Sequence, residues 1–513
     1  MATSDKTKEF TKKQDDIIIN KEGAKRQHES GKLTAEERLA LLLDDNSFTE
    51  IDEFVELRSH DYGLQEKKKP RDGVITGYGT VNKKPVCIYA QDFTFMGGSM
   101  GEMHNKKIAN IMELALKIGC PIIGLLDSGG ARIQEGIDGL DGGGKIFQLN
   151  TLCSGVIPQI SAIMGPCAGI AVYSPALTDF TFMVDKTSYM FITGPDVVKS
   201  VTGENIDFMG LGGAETHSKK SGVSHFIAAD EKECILKIKK LLTYLPQNNL
   251  EDAPLLDMGD SAERQTASLK NIIPEDQKKS YDMKEVIKEV VDKNSFYEIQ
   301  AEYAQNCIIG LARLNSVAVG IVANQPCVIA GCLDINSSDK ISRFVRFCDA
   351  FNIPIINFVD VTGYLPGTEQ EHNGVIRHGA KILYAYSEAT VPKISLVLRK
   401  AYGGAYIALV SKDMGYDYVI SWPSAEIAVM GSDQAVNIIN KKEKASKDWE
   451  KIKSEKIKEY SDKFLNPYVA ASEGKVDKII LPKDTRGALI RAIEMLASKR
   501  DKRPSKKHGN IPL

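Results

Sequence analysis

Four short stretches of small residues place backbone N–H groups where a substrate oxygen could be polarised. In Cys120-Pro-Ile-Ile-Gly-Leu-Leu-Asp-Ser-Gly-Gly-Ala-Arg132 and in Gln159-Ile-Ser-Ala-Ile-Met-Gly-Pro-Cys-Ala-Gly-Ile-Ala171, an apolar run ends in small residues. Apolar runs of this length bounded by glycine read as buried strands. Small residues after a strand let the next helix begin with bare N–H groups, and such a start attracts anionic oxygen through those donors and the helix dipole. Two starts side by side would make a two-donor pocket for a developing oxyanion. The candidate donors are Gly130-Ala131 with Gly169-Ile170, and later in the chain Thr362-Gly363 with Gly404-Ala405. These glycines equally suit tight helix–sheet packing, and spacing alone leaves both readings open. A repeated pair of pairs favours the functional one, because two polarised oxygens suit a two-substrate reaction.

Other chemistries fare worse. Gly139-Leu-Asp-Gly-Gly-Gly-Lys145 nearly spells a phosphate loop, but Ile146 stands where a magnesium-binding hydroxyl is needed and no buried strand immediately precedes it. Asp127-Ser-Gly-Gly130 is spaced like a serine nucleophile, yet the core strands carry none of the eight histidines, so Ser128 is expected to shape a turn. Asp282-Met-Lys-Glu285 holds the Met-Lys pair of biotin attachment sites, but in a charged helical pattern; the chain is expected to carry no biotin of its own. No His/Cys cluster has metal-ligand spacing, so no metal site is expected.

The elements that must position these donors recur. Ile353-Pro-Ile-Ile-Asn-Phe-Val-Asp360 repeats Cys120 to Asp127, with Pro121 and Pro354 lying 233 residues apart. Val391-Pro-Lys-Ile-Ser-Leu-Val-Leu398 repeats Ile157 to Met164 at 234, and Gly404 follows Gly169 at 235. Asn46-Ser-Phe-Thr-Glu-Ile51 returns as Asn294-Ser-Phe-Tyr-Glu-Ile299 at 248, so the first half carries about fifteen extra residues, assigned to the loop around Gln65 to Arg71. Four landmarks in one order make a tandem duplication. Short apolar strands alternating with helices predict an α/β class with mostly parallel sheets.

Taken in order, residues 5 to 45 are helical and charged, and the Thr34-Ala-Glu-Glu37 capping box starts a helix at Ala35. Residues 73 to 92 predict a hairpin, and a helix follows from Asn105 to Ile118. Ser174 to Met190 reads as strand-like, Gly210 to Gly213 as a loop, and Lys232 to Leu245 as an amphipathic helix. Residues 246 to 275 lack periodicity and read as a linker wrapped over the surface. Domains of 1–257 and 265–505 result. Lys441 to Lys463 predicts a helix with a solvated face.

At 513 residues and a net charge of −2, no global field points to nucleic acid or to a membrane. Apolar runs fall far short of the roughly 20 residues that span a bilayer. Met1 to Asn20 is charged and lacks an apolar signal core, so no secretion is expected. Nine cysteines without a C-x-x-C pair predict free thiols in a reducing cytoplasm.

Nearly the whole chain resembles the biotin-dependent acyl-CoA carboxyltransferases: the β subunits of propionyl- and acetyl-CoA carboxylases and the α subunits of methylmalonyl-CoA decarboxylases. The resemblance is carried by Gly31-Lys-Leu-Thr-Ala-Glu-Glu-Arg38, Gln91-Asp-Phe-Thr94, Asp127-Ser-Gly-Gly-Ala-Arg-Ile-Gln-Glu-Gly136 and Gly165-Pro-Cys-Ala-Gly169. It continues in Phe344-Val-Arg-Phe-Cys-Asp-Ala-Phe351, Ile376-Arg-His-Gly-Ala-Lys381, Arg399-Lys-Ala-Tyr-Gly-Gly-Ala-Tyr406 and Lys507-His-Gly-Asn-Ile-Pro-Leu513.

The resemblance implies tandem duplicated crotonase-like domains, each a superhelix of ββα units, in a homo-hexamer built as a dimer of trimers. The N-terminal domain of one protomer would face the C-terminal domain of another. It implies an acyl-CoA substrate on the N-terminal side and carboxybiotin, on a separate carrier chain, on the C-terminal side. Biotin carboxylase and biotin carboxyl carrier subunits would be the partners. The biotin ring nitrogen would take the α-proton itself, so no side-chain base is required. The thioester enolate would lie at Gly169-Ile170 and the biotin oxygen at Gly404-Ala405. Two departures matter. The family usually has two glycines where this chain has Gly169-Ile170, so the Ile170 side chain must point away from the thioester. Ile407 stands where some propionyl-preferring relatives have Asp; it either sets acyl selectivity or is ordinary core packing. The rivals to a carboxylase subunit are the α subunit of a sodium-pumping decarboxylase, a non-catalytic scaffold that docks a biotin carrier, and a crotonase-like hydratase. Intact glycines in both halves weigh against the scaffold, and the hydratase needs a carboxylate acid/base that nothing marks.

Overall fold

The computed structural model describes residues 3–15, 17, 20–277 and 279–513. Of the expectations above, the helical segment at Asp16, Ile18 and Ile19, and Met1 and Ala2 of the stretch expected to lack a signal core, lie outside the described residues.

Two compact units divide the chain, Met1–Glu251 and Asp252–Leu513. The first is built on β1 (Thr49–Ile51), β2 (Val74–Val81), β3 (Lys84–Gln91), β4 (Ile122–Ser128), β5 (Gln159–Ala168), β6 (Phe180–Val184), β7 (Tyr189–Phe191) and β8 (Phe226–Ala228). The second is built on β9 (Tyr297–Ile299), β10 (Cys307–Leu314), β11 (Val317–Asn324), β12 (Ile355–Val361), β13 (Lys393–Tyr402), β14 (Tyr418–Ser421), β15 (Glu426–Ala428) and β16 (Lys478–Ile479). The sheet orders are β1-β2-β3-β4-β5-β6-β8 with β7 on β5, and β9-β10-β11-β12-β13-β14-β16 with β15 on β13. The duplication read from four landmarks thus extends to every strand. In each sheet the first three strands are antiparallel and the rest parallel. These are tandem crotonase-like α/β domains, as expected.

Local chemistry explains the shared plan. The two hairpins turn on Asn82-Lys83 and Asn315-Ser316, each pair at positive φ, which matches a two-residue turn to the strand twist. β4 and β12 are buried along their whole length, which is why they read as unbroken apolar runs. The register slips at one equivalent place in both sheets, between Leu126 and Ser128 and between Val359 and Val361. The extra length of the first half lies between β1 and β2, where residues 52–73 replace the short 300–306 connection.

Helices confirm most expectations and correct some. Thr34 caps the Ala35–Leu42 helix in a full capping box. The next expected helix runs Glu102–Ile118 and stops at Gly119, which takes a left-handed conformation at φ 68°. The amphipathic helix spans Glu231–Tyr244, with the Asp230 side chain accepting from the Glu233 N–H. Gly210 to Gly213 is not a simple loop: Phe208–Gly212 is a short helix, nucleated by the Asp207 side chain accepting from the Gly210 N–H. Ser174 to Met190 opens in helix, because Tyr173–Leu177 continues the turn that ends β5. The lysine-rich helix is Trp449–Phe464 and buries no residue, as a solvated helix should. Residues 246–275 hold no strand but are docked: Leu255 bridges Val317, and the Pro254 carbonyl accepts from the Ala318 N–H at 3.1 Å.

Candidate active site

In the first unit β5 ends at Ala168, and Gly169 turns the chain at φ 59° into a tight turn spanning Gly169–Val172. The first N–H groups of a helical turn have no intrahelical acceptor, so those of Gly169 and Ile170 are free of it. The loop after β4 is brought directly over them. A Cβ at Gly130 would lie 2.7 Å from the Ala168 carbonyl oxygen, and Gly130 sits at φ 98°, so no other residue fits there. Ala131 pairs with Met100 as a parallel bridge. No α-helix starts here; a single 3-10 turn at Ile133–Glu135 follows, and the next α-helix begins at Ile137. The bare helix start expected after β4 is therefore a bridged loop, and its Gly130 N–H donates to the Ser128 hydroxyl at 3.1 Å. That hydroxyl donates in turn to the Gly98 carbonyl at 2.6 Å, so Ser128 shapes the turn.

The second unit repeats the arrangement. β13 ends at Tyr402, Gly403 turns at φ 58°, and the helix Gly403–Val410 follows. The left-handed residue equivalent to Gly169 is Gly403, 234 residues on, like Pro392 after Pro158. The pairing of Gly404 with Gly169 at 235 is thereby corrected: Gly404 stands at the place of Ile170, and Ala405 at that of Ala171. Gly404 and Ala405 lie in the first turn, where N–H groups lack intrahelical acceptors. The Gly363 carbonyl accepts from the Leu333 N–H at 3.0 Å, and Leu333 bridges Tyr364 as Met100 bridges Ala131. Thr362 Oγ1 lies 3.0 Å from Cys332 Sγ. Tyr364 spans the loop and the helix start: Gly379 and Gly404 both face its ring, and burial pushes its hydroxyl up to about 12.

Ile170 packs against the neighbouring helix. Its side chain turns into the unit, toward Gly143 on the Ile137–Cys153 helix, where a Cβ would meet Ile170 Cδ1 at 2.3 Å. Ile407 is 46 % exposed while Ala408, Leu409 and Val410 beside it are buried. It is not core packing within its unit. The near-phosphate loop Gly139 to Lys145 lies inside the Ile137–Cys153 helix. Met283 of the Met-Lys pair is buried, and Lys284 pairs with Glu298 at 2.8 Å.

Two buried carboxylates were not singled out by sequence reasoning, although both stand in the repeated segment. Asp127 closes β4. It takes Lys32 Nζ at 3.0 and 3.1 Å, Arg38 Nη2 at 2.9 Å and Gln27 Nε2 at 3.3 Å. Arg38 also binds Glu231 at 2.7 and 2.8 Å. Burial opposes the charge on Arg38, but Asp127 and Glu231 outweigh it and raise its pKa; on Lys32 burial wins and lowers it. A Cβ at Gly165 would strike Asp127 Oδ1 at 2.2 Å. In the second unit the same strand position, 234 residues on, holds Arg399, whose Nε reaches Asp360 Oδ2 at 2.8 Å, joined by the Tyr281 hydroxyl at 3.0 Å. Each carboxylate stands at the register slip of its sheet.

A cavity of about 590 Å³ opens beside Pro166, lined also by Arg26, Lys32, Phe93, Lys186 and Tyr189. Among the described residues, no group of three or more His, Cys, Asp or Glu side chains is placed to hold a metal, and no helix is long and apolar enough to cross a membrane. All nine cysteines are free.

A family model described as the carboxyl transferase domain matches residues 26–511. The chain belongs to the carboxyl transferase family. It is 59 % identical over 488 residues to the methylmalonyl-CoA decarboxylase subunit alpha of Veillonella parvula, covering 95 % of this chain and 94 % of the relative. It is 56 % identical to the propionyl-CoA carboxylase carboxyltransferase subunit of Haloferax mediterranei, covering 95 % of each. The transcarboxylase 12S crystal structure, a hexamer with methylmalonyl-coenzyme A and methylmalonic acid bound, superposes with a TM-score of 0.96 at 51 % identity, over 100 % of this chain and 99 % of that one. The chain is thus an acyl-CoA carboxyltransferase of the biotin-dependent carboxylase and transcarboxylase group.

Proposed function

We propose that this chain is the carboxyltransferase subunit of an acetyl-CoA/propionyl-CoA carboxylase. Its product would be malonyl-CoA or (S)-methylmalonyl-CoA. The observation that carries this reading is the duplicated donor turn, with glycine at φ 59° and 58° and first-turn N–H groups lacking intrahelical acceptors in both units. The Gly169-Ile170 side, with Ala131 above it, would hold the thioester oxygen as it gains charge. The Gly404-Ala405 side, with Gly363, would hold the carbonyl oxygen of carboxybiotin brought by a separate carrier chain. Donors aimed at developing charge supply the rate, and loss of one costs roughly 10²–10³. No side-chain base is needed when the biotin ring nitrogen takes the α-proton.

The chain would act as a cytoplasmic homo-hexamer with biotin carboxylase and carrier subunits. A second reading has a specific support: the relative at 59 % identity is a decarboxylase α subunit. Mixing the chain with biotin carboxylase, carrier, ATP and bicarbonate, and following carboxylation of acetyl-, propionyl- and butyryl-CoA, tests the first. Product from acetyl- and propionyl-CoA is expected. Efficient loss of carboxyl from methylmalonyl-CoA to the carrier, with no net carboxylation in the reconstituted system, would favour the second. Biotin found covalently attached to this chain would overturn both.

A further inference from the structure

The helix Gly403–Val410 has a second end, and the second unit grips it with buried polar groups. The Ala408 carbonyl accepts from the Tyr416 hydroxyl at 2.7 Å. The Leu409 carbonyl accepts from Ser395 Oγ at 2.6 Å and from Asn357 Nδ2 at 2.9 Å. Asn357 Nδ2 also donates to the Tyr416 hydroxyl at 3.0 Å, and Asn357 Oδ1 accepts from the Tyr386 hydroxyl at 2.7 Å. All four side chains are buried. Burial raises the pKa of both phenols, so they stay protonated and able to donate.

A buried amide and two buried phenols are costly unless fully paired, and an apolar core would hold a sheet to a helix without them. The first unit grips its own helix with other groups: the Pro175 carbonyl accepts from Thr178 Oγ1 at 2.7 Å and from Thr181 Oγ1 at 3.1 Å. Gly124 stands at the place of Asn357, and a Cβ there would lie 2.4 Å from the Tyr89 hydroxyl oxygen. Tyr89 fills that space, and the helix after the donor turn is only Tyr173–Leu177. The network therefore belongs to the second unit, and its connections converge on the end of the helix opposite Gly404 and Ala405.

We propose that Asn357, Tyr386 and Tyr416 are positioning residues for carboxyl transfer: by holding the last carbonyls of the Gly403–Val410 helix they fix the direction of the Gly404 and Ala405 N–H groups at its other end. This rests on the reading of those N–H groups as oxyanion donors. A helix of eight residues pivots about its anchored end, so loosening the grip displaces the donors. A misplacement near 1 Å can cost about a hundredfold in rate.

The test uses the full chain, with methylmalonyl-CoA as donor and free biotin as acceptor. Tyr416→Phe and Tyr386→Phe each remove one hydroxyl and no carbon, so both are expected to fold. Ile356→Val, a buried β12 residue outside the network, is the stability control. The expected result is a kcat loss on the order of ten- to a hundredfold in the two Phe variants. Acyl-CoA affinity, measured directly by titration, should stay unchanged, since the first unit is untouched. The Ile356→Val control should keep its kcat at a matched melting temperature. Phe variants within twofold of wild-type kcat, or a control that loses as much, would overturn the proposal. Ala405→Pro separates the two readings. If it retains transfer, the donor role itself fails; if it is inactive while both Phe variants are fully active, only the positioning role fails.

Discussion

Gly143→Ala is the substitution that links packing most directly to the acyl-side donors. Gly143 lies inside the Ile137–Cys153 helix, and its added Cβ would meet Ile170 Cδ1 at 2.3 Å and Cγ1 at 3.0 Å. Carbon atoms rest about 3.5–4.0 Å apart, so the tip of Ile170 must withdraw by more than about 1 Å. The helix gains about 0.8–1 kcal/mol from replacing glycine. Overpacking costs about 1–3 kcal/mol. The net loss of stability is then about 0–2 kcal/mol, a shift of a few degrees at most. Activity should fall further than stability. The Ile170 N–H belongs to the same residue that must move, and the turn carrying it is short and buried on its inner side. We expect kcat/KM for transfer from methylmalonyl-CoA to free biotin to drop by about 10²-fold. Ile170→Ala in the same chain removes both clashing atoms and keeps the N–H, so it should recover most of the loss. Wild-type kcat/KM in Gly143→Ala, or a double variant no better than the single one, would refute the argument that Ile170 is seated against this helix to free its N–H.

Other perturbations follow the same geometry. Ala405→Pro removes an N–H at a first-turn position where helices accept proline, and should abolish transfer, whereas Ala405→Ser should retain much of it; equal losses with unchanged molecular size would count against the donor role. Ile407→Asp should depress acetyl-CoA use more than propionyl-CoA use, because an exposed apolar side chain near the donors becomes a charge that must be solvated; an unchanged ratio of the two kcat/KM values would place selectivity elsewhere. Arg399→Met strands the buried Asp360 and should cost about 3–5 kcal/mol, much of it restored by adding Asp360→Asn, read from urea midpoints. His104 is buried, accepts from Gln91 Nε2 at 3.1 Å, donates to the Asp72 carbonyl at 3.0 Å, and is held down to about 3 by burial. Its unfolded form binds a proton first, so its contribution is complete above about pH 6.5 and is lost as pH falls toward 3, by about 1.4 kcal/mol per pH unit. His104→Gln should lessen the acid slope of stability over that window, and an identical slope would refute it.

The strands, the hairpins and the duplication were legible because they are written in apolar runs and turn residues, which local physics reads directly. What was not legible depends on contacts across long stretches of chain. The Asp127 pairing with Lys32 and Arg38 spans about ninety residues, and nothing near Asp127 announces it. The Phe208–Gly212 helix was hidden because glycines mask the Asp207 cap that starts it. The one-residue error in matching Gly404 to Gly169 has a plain cause as well. Both Gly403 and Gly404 are small, and only the backbone angle reveals which one makes the left-handed turn.

That corrected register also says why the two halves diverged. Once Gly403 is set on Gly169, Arg399 falls on Gly165 and Gly404 on Ile170, while Asn357 falls on Gly124 at the offset of 233 that relates β4 to β12. In the first unit, glycine at 165 leaves room for Asp127 to be reached from the N-terminal segment by Lys32 and Arg38. That contact draws the Lys32 region alongside Phe93, on the wall of the cavity next to the Gly169 turn. In the second unit, arginine on the strand itself neutralises Asp360, and the segment before β9 adds only the uncharged Tyr281 hydroxyl. One half thus draws its counter-charges from a remote N-terminal segment, and the other carries its counter-charge on the neighbouring strand. Under the proposed reading of the two glycine turns, the halves would come to take different substrates through what is built around each turn, with the turn itself kept at φ 59° and 58°.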